Sequence, residues 1–156
     1  MQKYIAIDLL SGTLKRPTPR PMICFFIVNK EHDDDFIKQI ALEFLDQGTW
    51  YHFYGQHEPR WHWIFDETDI TVHPDSTPET VILTCGYDDL EEFAEEIHSA
   101  LHSRYFVPTD VFLFYDDELL YSKLKEQLAL MEKNDAQYAR ARRTVPPKTK
   151  LRLSHL

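Results

Sequence analysis

Three times along this chain a run of apolar residues ends in a cluster of carboxylates and gives way to a stretch with helical spacing: MICFFIVNKEHDDDF from Met22, TVILTCGYDDLEEF from Thr80 and VFLFYDDEL from Val111. The apolar runs lack the in-and-out alternation of a one-sided sheet, so each reads as a strand covered on both faces, as in a parallel sheet. Beyond each carboxylate cluster, apolar residues recur every three to four positions. Phe36, Ile37, Ile40, Ala41, Phe44 and Leu45 form one stripe, with Gly48 placed to end the helix. Leu90, Phe93, Ala94, Ile97 and Leu101 form a second, and Leu120, Leu124, Leu128 and Met131 a third. The Asp pairs at 88/89 and 116/117 stand 28 residues apart, the length of one strand and its crossover. The expected fold class is therefore α/β: a mainly parallel central sheet with flanking helices, its strands at 22–28, 80–85 and 111–115 adjacent or nearly so.

The rest of the chain departs from this rhythm. KYIAIDLL reads as an edge strand. Residues 11–21 hold Pro17, Pro19 and Pro21 among three basic side chains and form a connecting arm. TWYHFYG reads as a further strand, and RWHWIFDETDITVHP as one or two more, so an aromatic hairpin or antiparallel extension is expected over about residues 50–73. In that reading Gly55 to Arg60 is the turn, and Trp61, Trp63 and Phe65 share one face of a strand.

With 156 residues the chain can bury roughly 70% of its unfolded surface as one domain without a disulfide or metal staple. No apolar run reaches the roughly 20 residues of a membrane helix. The opening MQKYIAIDLLSG lacks the cationic start and apolar middle of a secretion signal, so a cytoplasmic location and no membrane contact are expected. Cys24 and Cys85 sit inside apolar runs and read as structural thiols.

Charge divides the chain. Residues 1–138 hold all 26 acids against 11 basic residues, a charge of −15, whereas residues 139–156 carry six basic residues and no acid. The expected organisation is an acidic domain over 1–138 and a basic, loosely ordered tail over 139–156. An acidic body repels nucleic acid and favours a basic protein partner, whereas the tail is suited to touch RNA, an acidic neighbour or the body itself. Oligomeric state is not legible.

The strand-end carboxylates admit two readings. Gathered at one edge of a parallel sheet, Asp34, Asp88, Asp116 and Asp117 could hold Mg²⁺ for a phosphoesterase or nuclease. Yet Asp is a favoured helix N-cap, and acids in a first turn complement the positive helix end. Each cluster precedes a helix that needs a cap, so Asp116, Asp117 and Glu118 are expected to begin a helix rather than bind metal. Glycine-rich phosphate loops and a nucleophile elbow are missing from the sequence, so no cofactor is expected.

The stretch WYHFYGQHEPRWHWIF, residues 50–65, carries the most unusual composition, with seven aromatic residues and three histidines. Tryptophan and tyrosine anchor protein interfaces, which makes Trp50, Tyr54, His57, Arg60, Trp61 and Trp63 the candidate partner-binding residues. At least one of Trp61 and Trp63 should be exposed. His98 and His102 stand four apart on a helix beside Glu91 and Glu95, and a charged helix surface accounts for them without a metal. The functional expectation is a non-enzymatic interaction module of inhibitor, immunity or antitoxin type.

Overall fold

The structure, a computed structural model, describes residues 3–12, 14–16, 19–105 and 107–144, with side chains as far as residue 140. Five strands and four helices follow one another as β1 (Ile5–Asp8), β2 (Met22–Ile27), α1 (Asp34–Phe44), β3 (Trp50–Tyr54), α2 (Glu58–Val72), β4 (Leu83–Tyr87), α3 (Leu90–His102), β5 (Asp110–Tyr115) and α4 (Glu118–Thr144). The strands form one sheet in the order β1-β5-β2-β3-β4, and every pairing is parallel. β2 and β5 are neighbours, and β4 is separated from β2 only by β3. No described helix is long and apolar enough to cross a membrane.

Connection handedness explains the layers. From β2 through β3 to β4 the chain steps one way across the sheet, so right-handed crossovers put α1 and α2 on the same face. The return from β4 to β5 runs the other way, and α3 and α4 cover the opposite face. Strand alternation feeds both cores: Cys24, Phe26, Tyr51, Phe53, Phe112 and Phe114 pack under α1 and α2, while Phe25, Ile27, Val111 and Leu113 pack under α3 and α4. Phe114, Phe26 and Phe53 lie side by side on three adjacent strands, with centroid separations of 4.4 and 5.0 Å.

The expected hairpin gives way to a helix. Residues 58–72 form α2, because Trp61, Ile64, Phe65, Thr68 and Asp69 fall at i, i+3, i+4, i+7 and i+8 and bury a single stripe. Pro59 occupies the first turn, where its missing N–H is harmless. Trp61 and Phe65 satisfy both a strand's alternation and a helix's i, i+4 spacing, and burial on the helical stripe decides between them.

The basic segment begins inside α4, whose backbone continues to Thr144; residues 145–156 of the expected tail lie outside the described residues. Cys24 is buried and Cys85 half-buried, both as free thiols.

Candidate functional site

β2 and β5 send their helices to opposite faces, so the crevice where open α/β sheets bind ligands lies between their carboxyl ends. Here it is filled by the chain itself. Asp116, only 2% exposed, accepts the Asn29 N–H on Oδ1 at 2.9 Å and the Lys30 N–H on Oδ2 at 3.0 Å, and His32 Nε2 lies 2.9 Å from the same Oδ2. His32 in turn stacks on Phe36 and meets the edge of Trp61.

The three carboxylate clusters each contribute one cap. Asp33 accepts the Phe36 N–H, Asp89 the Glu91 N–H, and Asp117 the Leu119 and Leu120 N–H groups at the start of α4. These bonds, together with Asn29 Nδ2–H, hold the Asp117 carboxyl below the usual carboxylate range. Asp116 corrects the expectation that it begins the helix with Asp117 and Glu118, for its carboxylate ties down the β2–α1 loop. Asp34 pairs with Arg60, whose hydrogen bond lowers the Asp34 pKa, and Asp88 is exposed. The four residues of the metal alternative thus point to four different tasks or surroundings. Among the described residues they belong to no group of three or more His, Cys or carboxylate residues with converging donor atoms.

The six aromatic-stretch residues are divided by the sheet. Trp61 is fully buried, its indole N–H without an acceptor. Trp63 is 48% exposed on the outer side of α2, with the Arg60 guanidinium 4.6 Å from its ring centre. His57 is half-buried at the α2 N-terminus and makes no side-chain cap. Trp50 and Tyr54 belong to the other face, where Tyr54 stacks on Phe93 of α3 at 5.5 Å.

On that other face one corner of the sheet is uncovered. Trp50, His52 and Tyr54 stand in register with Leu83, Cys85 and Tyr87 of the edge strand β4. Phe93 covers the Tyr54 and Tyr87 end. Trp50 and Leu83 at the opposite end remain 45% and 39% exposed. Between Trp50 and α3, over β2 and β3, lies a cavity of about 210 Å³ bounded by Phe25, Trp50, His52, Glu96, Ser99 and Tyr105. His52 stacks on Phe25 at 4.5 Å, and its Nδ1 is 2.8 Å from the Tyr87 hydroxyl. Burial pushes the His52 pKa down to about 4. Burial and the nearby Glu96 charge raise both the Cys85 thiol and the Tyr87 phenol.

No pattern in the sequence singles out Glu96, Leu83 or Tyr105. Glu96 is, along the chain, only one more acid on the polar side of α3; what sets it beside Trp50 is the packing of α3 across the β3–β4 end. No family model matches this chain, and neither a curated protein nor a solved structure is found to be similar to it.

Proposed function

We propose that this protein is a non-enzymatic binding module that docks a basic protein partner on the uncovered β3–β4 corner, with the cavity beside Trp50 taking a lysine or arginine side chain. The observation that carries this reading is the pairing of an exposed Trp50 wall with the Glu96 carboxylate at one cavity. An aromatic face attracts a cation through its ring quadrupole, and a carboxylate adds charge-assisted hydrogen bonds. Leu83, adjacent to Trp50 in register, supplies apolar contact area, and the free edge of β4 offers backbone groups to an extended segment. The −15 charge of residues 1–138 would steer a cationic partner toward it. An inhibitor, immunity or antitoxin role fits this chemistry. So does a cytoplasmic setting, where Cys24 and Cys85 stay thiols.

Selection from a random peptide library tests the reading. Bound peptides should be rich in Arg or Lys beside an apolar residue, should perturb the Trp50 indole and the Glu96 and Ser99 amides by NMR, and should lose affinity with Trp50→Ala and Glu96→Lys. Trp63→Ala, on the opposite face, should leave binding unchanged. Equal affinity in the wild type and Glu96→Lys, or perturbations scattered over the whole acidic surface, would refute it.

A further inference from the structure

His98 and His102, one turn apart on α3, meet Glu132 and Asp135 of α4 rather than the Glu91 and Glu95 of their own helix. Their rings lie 4.2 Å apart and tilted by 45°. The hydrogen bonds of each ring decide which nitrogen is left to ligate. His102 Nδ1 is 2.8 Å from the His98 carbonyl oxygen, which can only accept, so Nδ1 carries the proton and Nε2 the lone pair in the neutral ring. His98 Nε2 is 2.8 Å from Asp135 Oδ2, a carboxylate that likewise draws the proton, and this leaves the lone pair on Nδ1. Glu132 Oε1 lies within ion-pair distance of both remaining nitrogens, 3.2 Å from His102 Nε2 and 3.5 Å from His98 Nδ1.

Three electron-pair donors this close together repel unless a proton or a metal ion lies among them. Ligands about 2.0–2.1 Å from a tetrahedral metal stand roughly 3.4 Å apart, so the two separations at Glu132 match two edges of such a polyhedron. An acceptor holding the second ring nitrogen is also the usual companion of a metal-bound histidine, since it fixes tautomer and orientation. His98, His102 and Asp135 each offer a donor atom within 4.8 Å of the others, so Asp135 orients His98 when that ring binds through Nδ1 and is the alternative carboxylate ligand when it binds through Nε2.

We propose that His98, His102 and Glu132 form a Zn²⁺ site, oriented by Asp135, that clamps α4 onto α3. Two imidazoles and a carboxylate suit a borderline transition ion, whereas Mg²⁺ and Ca²⁺ require oxygen ligands throughout. Three protein ligands leave one coordination position open. His98 and Glu132 also border an apolar cavity of about 420 Å³ that Tyr4, Leu101, Tyr121 and Leu128 help to line. An occupant of the open position would have apolar room beside the metal.

The experiment is calorimetric titration of Zn²⁺ into the full, chelator-treated chain, followed by thermal unfolding and by the visible spectrum of the Co²⁺ form. One saturable site, a raised Tm and Co²⁺ bands of tetrahedral intensity are expected, with no heat from Mg²⁺. Glu132→Gln and the His98→Ala/His102→Ala double substitution should remove the saturable heat while circular dichroism confirms the fold. Asp135→Asn should weaken binding about 10–100-fold without abolishing it. A wild-type chain that takes up no Zn²⁺ saturably, or uptake that survives either Glu132→Gln or the double substitution, overturns the site.

Discussion

Asp116 reaches across the crevice from the end of β5 and holds His32, the two side chains meeting 2.9 Å apart. The same carboxylate satisfies the backbone N–H groups of Asn29 and Lys30, so one buried side chain fixes the whole β2–α1 loop. Replacing it with alanine strands two N–H donors and the imidazole. Asp116→Ala should cost about 3–5 kcal/mol in urea unfolding. Asp117→Asn, which keeps a capping oxygen for Leu119 and Leu120, should cost under about 1 kcal/mol. Equal losses at the two positions would show that Asp116 does no more than its neighbour.

The three tryptophans should separate by stability. Trp61 is fully enclosed, between the Phe26 and Phe65 rings and His32, and Trp61→Ala should cost about 3–5 kcal/mol. Trp50→Ala and Trp63→Ala, at half-exposed positions, should stay within about 1 kcal/mol. A large destabilisation by Trp50→Ala would mean that its exposed ring serves the fold rather than a partner.

His52 makes stability depend on acid. Its folded pKa lies near 4 because burial disfavours the charged ring, against an ordinary value of 6.5. Between these two pH values the unfolded chain binds a proton that the folded chain refuses, so stability is intact above about pH 6.5 and falls as pH drops toward 4. The loss should approach about 3 kcal/mol at the lower end. His52→Gln should flatten that part of the profile, measured by urea unfolding at a series of pH values.

Gly55 lets the β3–α2 turn cross the end of β2. Its φ is +125°, and a Cβ there would stand 2.7 Å from the Val28 carbonyl oxygen, an atom whose lone pair already accepts the His57 N–H. Neither partner can move, both being backbone. Gly55→Ala should destabilise by about 3 kcal/mol or more, read as a fall in the urea midpoint.

The parallel sheet was legible because both of its requirements are local: an apolar run for burial on two faces, then a polar-striped helix for the crossover. Asp33, Asp89 and Asp117 were legible as caps for the same reason, since a cap needs only its own next turn. Asp116 was not, because nothing in a row of three acids says which one the sheet will enclose. Over residues 58–72 the aromatics obscured the period, Trp61 and Phe65 fitting a strand as well as a helix. The opposition of His98 and His102 to Glu132 and Asp135 depends on how α3 and α4 settle against each other, and no single-helix pattern reports that. Trp50 was legible and its surroundings were not: Leu83 and Glu96 are brought to it by the sheet order and by α3.

At 27 residues, α4 runs for about 40 Å. Leu124 and Leu128 bury it against the sheet, but the side chains of residues 133–140 are exposed all round, and the helix is still continuing where Arg140, Arg142 and Arg143 arrive. Helical backbone therefore carries Arg140, Arg142 and Arg143 outward beyond Glu132 and Asp135 rather than leaving them on a slack chain. Spaced along a rod that stands clear of the sheet, the first basic residues of the C-terminal segment are offered to an anionic neighbour at a fixed distance from the acidic body.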